Sequence, residues 1–323
     1  MANIFRYIYN SVFINNSDDN NFFRQLLIIS FIAILYYVYK EYVDDHDMLY
    51  EKEGFSQDES YIYKRNNESF DSFYIEIFDM IYNNSHNFPL EIEHIIKTTN
   101  PDKNSNILDL CSNTGLFVNE FKKYNYNIYG LENINDMITY SNKNYPDARI
   151  IKGTIDNPMT FNNNTFTHIV CNNFNFYRYK NKEKVFSQCN YWLKPNGYFI
   201  LHLVNPHKFD TIMPIAKPSL YKNIQKWNED RIKKCEVDFL GFKYKSEYNF
   251  EDNNTLTLKE KFIDKESNNI REQEREYYMD SLKNIETLAL KNNFHLHSKA
   301  KMSKINNDDY QYIYIFRKIL FLF

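Results

Sequence analysis

Ile107-Leu108-Asp109-Leu110-Cys111-Ser112-Asn113-Thr114-Gly115-Leu116-Phe117 runs from apolar residues through an acid and a tight polar turn into an amphipathic segment. That order predicts a strand, a loop and a helix. The loop turns backbone N–H groups toward a ligand, and the helix N-terminus adds the positive end of its dipole. The chain holds only 6 glycines in 323 residues, and one of them, Gly115, stands in this loop.

Outward from the loop, strand-like and helix-like segments alternate. Strands are expected at 106–110, 127–131, 148–152, 166–171 and 197–203, with helices around 115–124, 134–143 and 181–193. Two further helices precede them, over Ser69–Tyr82 and Leu90–Lys97, the second stopping before Pro101. Alternation at this spacing argues for βαβ units and a parallel sheet covered on both faces. Such a sheet binds its ligand at the carboxyl ends of the strands. Beyond residue 205 the pattern changes. Asp238–Lys245 and Thr255–Phe262 alternate apolar and polar residues as half-exposed antiparallel strands do, and Arg271–Tyr278 reads as a third. A helix near 281–292 and strands at 294–301 and 310–317 follow.

The fold class expected is therefore α/β: a doubly wound, seven-stranded, mostly parallel sheet with an antiparallel last strand. A small antiparallel β insertion and an N-terminal hydrophobic helix are added to it. The organisation reads as an N-terminal segment over 1–44, a linker over 45–68 and a core beginning over 69–205. An insertion covering the site spans 206–280, and 281–323 completes the core.

Net charge is −3 and the pI is about 6.3, so no basic field of the kind that dominates nucleic-acid binding is present, and no nucleic-acid partner is expected. Asparagine supplies roughly one residue in seven, far from average usage. The four cysteines, Cys111, Cys171, Cys189 and Cys235, are too widely spaced for a disulfide scaffold or a metal site, and a reducing, cytosolic compartment fits them. Leu26–Tyr39 is an unbroken run of apolar and aromatic residues apart from Ser30. Counted from Phe22 to Val43, with Arg24 and Lys40 snorkelling, it is expected to anchor the chain in a membrane.

Asp109-Leu110-Cys111-Ser112-Asn113-Thr114-Gly115 resembles the D-x-G-x-G-x-G loop of the class I S-adenosylmethionine-dependent methyltransferases of small-molecule type, with Cys111 and Asn113 in place of two glycines. Gly130-Leu131-Glu132 resembles the end of that family's second strand, where an acid holds the cofactor ribose. Ile151-Lys152-Gly153-Thr154-Ile155-Asp156 resembles the end of the third, which frames the adenine. Trp192-Leu193-Lys194-Pro195-Asn196-Gly197 followed by apolar residues resembles the entry to the fifth strand. Asp71-Ser72-Phe73-Tyr74 resembles the helix before the core, whose tyrosine reaches the cofactor.

The resemblance covers about 100–317 and implies S-adenosylmethionine as cofactor. Its contacts would be Tyr74, Asp109, Cys111, Asn113, Gly115, Glu132, Asn133, Thr154, Ile155, Asp156 and Asn172. No metal is implied. His202, expected at the end of strand five, is the candidate base for a hydroxyl acceptor, against the ordinary reading of a histidine held by core hydrogen bonds. The function implied is methyl transfer to a small-molecule or membrane-associated acceptor. The alternative is a catalytically inactive cofactor-binding or scaffold protein on a membrane, suggested by the two lost glycines and Thr154. A nicotinamide-dependent oxidoreductase is disfavoured because the loop opens on an acid and lacks G-x-G-x-x-G.

Overall fold

The computed structural model describes residues 18–47, 57, 59–82, 87–216, 230–250, 254–305 and 308–319. Residues 1–17 of the expected N-terminal segment, 48–56 and 58 of the expected linker, and 217–229 and 251–253 of the expected insertion lie outside the described residues. The chain divides into two compact units, Met1–Gly54 and Phe55–Phe323.

In the first unit, α1 (Asp18–Asp47) is 30 residues long. Among the described residues no helix is long and apolar enough to cross a membrane. This overturns the anchor expected over 22–43, and with it the membrane partner and the membrane-anchored localisation. The reason is length. Leu26–Tyr39 rises only about 21 Å at 1.5 Å per residue, against a hydrocarbon core of about 30 Å. Extending the run at either end takes in Arg24 or Lys40 and Glu41.

The second unit contains two sheets. The larger has seven strands: β2 (Asn106–Leu110), β3 (Asn127–Glu132), β4 (Ile150–Lys152), β5 (Phe166–Cys171), β6 (Leu193–Val204), β11 (Phe294–Lys301) and β12 (Gln311–Lys318). Their order is β11-β12-β6-β5-β2-β3-β4, and β12 runs antiparallel to both of its neighbours. Successive side chains of β2 alternate between faces, so Leu108 and Leu110 enter one core while Ile107 enters the other. The first core is closed by α6 (Lys182–Trp192) through Val185, Phe186, Cys189 and Trp192, and by α7 (Leu282–Lys291) through Ile285 and Ala289. The second is closed by α3 (Phe88–Thr99), whose Phe88, Ile92 and Ile95 fall on one face, and by Phe117, Val118 and Phe121 of α4 (Leu116–Lys122). With both faces covered, only the strand ends face a ligand.

The smaller sheet has five strands in the order β1-β10-β9-β8-β7: β1 (Tyr61–Arg65), β7 (Lys234–Asp238), β8 (Phe242–Phe250), β9 (Thr255–Asp264) and β10 (Ile270–Tyr278). Its make-up differs from the expectation. It includes Tyr61–Arg65 from the stretch read as linker, and this strand pairs parallel to β10, so the sheet is mixed and not wholly antiparallel. Tyr-Ile-Tyr-Lys-Arg is too short and too polar to declare itself, and its partner lies some two hundred residues away along the chain.

The inward face of this sheet meets α2 (Ser72–Tyr82) around one buried carboxylate. Glu260 accepts from Tyr74 (2.8 Å), Tyr244 (2.7 Å), Gln273 (2.8 Å) and Arg275, and is 2% exposed. A buried charge is tolerated only when it is paired and its lone pairs are filled, and this one meets both conditions.

Left-handed backbone is carried here mostly by asparagine. Nine of the eleven described non-glycine residues with positive φ are Asn, the side chain that tolerates this region best; the other two are Cys111 and Phe174.

Glu91 on α3 is buried, and desolvation pushes its carboxyl up to about 8 from 4.5. A carboxyl raised in the folded state contributes stability at low pH and loses it as pH rises through its folded value. Denaturant melts from pH 5 to pH 9 should therefore show the wild type losing stability toward pH 9. Glu91→Gln should flatten that loss. Parallel pH profiles for the two proteins would contradict this.

Candidate functional site

The parallel register brings the strand ends to one edge. Asp109 lies level with Gly130 and Val170, Glu132 with Lys152, and Cys171 with Leu201. Thr154, Glu132, Asp109, Asn172 and His202 therefore follow one another in that order along the carboxyl rim.

The loop after β2 passes through left-handed backbone three times, at Cys111 (φ 62°), Asn113 (φ 50°) and Gly115 (φ 81°). These are the three glycine positions of the resembled motif. The loop thus takes left-handed backbone at all three positions although two of the glycines are gone. Asn113 takes the conformation at low cost, whereas Cys111 stores about 1–2 kcal/mol. Gly115 has no substitute. A Cβ there would stand 2.3 Å from Ser141 Oγ, and at Gly130 on the neighbouring strand it would stand 2.5 Å from Ser112 Oγ.

Glu132 holds this loop in place. One carboxylate oxygen accepts from Asn113 N (2.9 Å), and the other accepts from Asn133 N (2.8 Å) and Ile134 N (3.0 Å). Three donors leave space on the carboxylate for another. Ser112 N bonds Leu131 O, and Gly153 N bonds Glu132 O, so the loops after β2, β3 and β4 are laced together. Thr154 accepts from the Asp156 amide, Ile155 is buried, and the exposed Asp156 pairs with Lys184 at 2.6 Å. The side chain of Asn133 is exposed.

Two buried polar atoms at the rim are left for a ligand to meet. Asp109 Oδ1 and Asn172 Nδ2, at the ends of β2 and β5, are buried with no partner among the described residues. Burial, and then the charge of Glu132, push the Asp109 carboxyl well above its ordinary value. A cationic group brought to that position would ionise it. Cys111 is inert as a nucleophile. Burial pushes its thiol up to about 12, and its Sγ lies 2.6 Å from Tyr179 OH.

Tyr74 is fully buried, and its hydroxyl is taken up by Glu260 and Arg275. The residue that α2 sends to the loop is instead Asp79, which accepts from Thr114 Oγ1 (2.6 Å) and from Tyr145 OH (3.1 Å). His202 is buried, and its Nε2 lies 2.9 Å from Gln311 Oε1, an acceptor, so Nε2 carries the proton and Nδ1 is bare. Burial lowers its pKa to about 4, and the left-handed Phe174 packs its ring 4.5 Å from the imidazole. Sequence reasoning missed Asp79, Asn175, which donates to Cys111 O at 3.0 Å, and Arg178, which donates to Asn113 Oδ1 at 3.1 Å. None of the three carried a motif.

Comparison with known proteins agrees with this geometry. Residues 108–201 match the methyltransferase domain family. An S-adenosylmethionine-dependent methyltransferase from Clostridium acetobutylicum superposes with a TM-score of 0.56 at 17% identity, covering 77% of this chain and 97% of that one. An amino pentose methyltransferase from Micromonospora echinaspora with S-adenosylmethionine bound gives 0.56 at 14%, covering 77% and 98%. A sugar N-methyltransferase from Streptoalloteichus gives 0.56 at 8%, covering 74% and 89%. No curated protein matches by sequence.

The residues present fit S-adenosylmethionine. Glu132 can take a ribose hydroxyl, Ile155 and Thr154 would border the adenine, and the Asp109 carboxyl would suit the cationic amino-acid end. Because burial and Glu132 raise the Asp109 carboxyl, a cation bound beside it favours the ionised form and should release a proton. Calorimetry in buffers of different ionisation enthalpy should detect this release near pH 6, with affinity rising with pH. Asp109→Asn should weaken binding about tenfold or more and abolish the release. A release that persists in the variant would assign the proton elsewhere.

Proposed function

We propose that this S-adenosylmethionine-dependent methyltransferase methylates a nitrogen of a small, polar acceptor. The observation that carries the reading is the loop itself: three left-handed positions on the path of a glycine-rich loop, beside a buried carboxyl without a partner. When bound, the cofactor supplies an electrophilic methyl carbon on a sulfonium.

The protein's part is to hold, orient and exclude. Glu132, itself oriented by the Asn133 and Ile134 amides, fixes the loop through the Asn113 amide and so positions the donor end. Asp109 neutralises charge at that end. Positioning two reactants in line removes much of the barrier to a displacement, and it needs no covalent help from the protein.

Nitrogen is favoured over oxygen by the state of His202. An amine in its free-base form already has a lone pair to donate, whereas a hydroxyl needs its proton drawn off in the transition state. His202, near the end of β6, is buried under Phe174 with its pKa lowered to about 4, so it is a poor base and is shielded from a substrate. Two proteins of the same fold carry the names of an amino pentose methyltransferase and a sugar N-methyltransferase, in line with an amino-sugar type of acceptor.

Incubation with methyl-labelled S-adenosylmethionine and a panel of amino sugars, with their parent sugars as controls, tests the reading. Label should appear on nitrogen only, with His202→Ala retaining more than about a tenth of the rate. Label on oxygen, lost in the His202→Ala variant, would overturn it.

A further inference from the structure

The loop after β4 faces the start of α6 across a cleft of about 290 Å³, lined by Ile155 and Asp156 on one side and by Tyr179, Lys180, Lys184 and Val185 on the other. Gly153 N bonds Glu132 O, so this loop adjoins the carboxylate suited to a ribose diol. A nucleoside whose diol meets Glu132 therefore lays its base in the cleft. Ile155 and Val185 are buried apolar side chains, and Tyr179 is a half-buried ring whose hydroxyl is fixed 2.6 Å from Cys111 Sγ. Such groups hold a base by its faces. Face contact does not depend on which base is bound, because every base has a π-face.

The edge of the base meets a different set of groups. A 6-amino group on a purine donates and needs an acceptor, whereas a 6-oxo group accepts and needs a donor. Acceptors beside the cleft are already engaged. Thr154 O accepts from Asn157 N and Thr160 Oγ1, both at 3.2 Å, and Asn181 Oδ1 accepts from Lys184 N at 3.0 Å. Among the described residues lining the cleft, Asp156 carries the sole carboxylate, and its Oδ1 lies 2.6 Å from Lys184 Nζ. The Asp156 side chain is 69% exposed and that of Lys184 48%, so water competes for both ions. A site rejects an analogue strongly only when the missing group strands a buried polar partner, and an exposed carboxylate is not stranded. Lys180 and Lys184 supply donors that a 6-oxo group can use. We infer that this site grips the purine by its faces, chiefly through Tyr179, and leaves the 6-position unread, so that a 6-oxo purine nucleoside is accepted nearly as well as the adenine-bearing one. This rests on S-adenosylmethionine being the cofactor. It makes Tyr179 a binding residue and gives Asp156 no part in choosing the base.

The test is a pair of titrations on the full chain, with S-adenosylhomocysteine and with S-inosylhomocysteine, its 6-oxo counterpart. The two dissociation constants should lie within about fivefold of each other, the most that an exposed contact is worth. Asp156→Ala should leave each of them within about twofold of wild type. Tyr179→Ala should weaken both ligands alike by about tenfold, and Tyr179→Phe, which keeps the ring, should bind both within about threefold of wild type. A wider preference for the adenine-bearing ligand, or a loss of that ligand alone in Asp156→Ala, would overturn the inference by showing that the 6-amino group is read. Unchanged binding in Tyr179→Ala would overturn the grip assigned to its ring. If Tyr179→Ala does not fold, the wild-type ratio and Asp156→Ala decide. Wild-type protein that binds neither ligand would refute the cofactor reading itself, a failure separate from that of the base.

Discussion

One carboxylate organises the site. Glu132 ends a strand, is 3% exposed, and gathers the amides of Asn113, Asn133 and Ile134. Without it the Asn113 amide would lose its partner, and only the Ser112–Leu131 backbone bond would tie the loop after β2 to the neighbouring strand. Charge-assisted bonds from backbone N–H groups are among the stronger ones a protein makes, so one side chain can offset the strain of two non-glycine residues. The positions of Asp109, Arg178 and Asn175 matter because this loop is held where they converge.

Strain and substitution are not spread evenly. Asparagine fills nine left-handed positions among the described residues, turning the chain's composition into workable turns despite its few glycines. The two left-handed residues without that excuse, Cys111 and Phe174, both border the site. Strained backbone persists where the surroundings over-determine it, and such places are often functional. Here Cys111 sends its thiol to Tyr179, and Phe174 sets its ring over His202.

Much of the core was legible because its signals are local. Ile107–Leu110 and Phe166–Cys171 are apolar runs bounded by polar turns, and Asp109 and Glu132 end strands whose spacing allows one order of pairing. What was illegible depends on contacts between distant segments. Tyr61–Arg65 is a strand only because β10 offers it an edge. Tyr74 carries the aromatic residue the resembled family places near its cofactor, yet the buried Glu260 claims its hydroxyl, and Asp79 five residues on meets the loop instead. Arg178 and Asn175 sit in a run of asparagines and aromatics that composition alone would produce. The anchor reading failed on a length argument already present in the chain: the apolar run of α1 ends at Lys40.

Cys111 and Asn113 reproduce the work of the two missing glycines. The dissociation constant for S-adenosylhomocysteine, measured in the wild type and in the double variant Cys111→Gly/Asn113→Gly, tests it most directly. Since the left-handed backbone is already in place, the two affinities should lie within about threefold of each other, well under the 1.4 kcal/mol of a tenfold change. Binding that appears only in the double variant, or improves there by a hundredfold, would show that the natural loop is a relic.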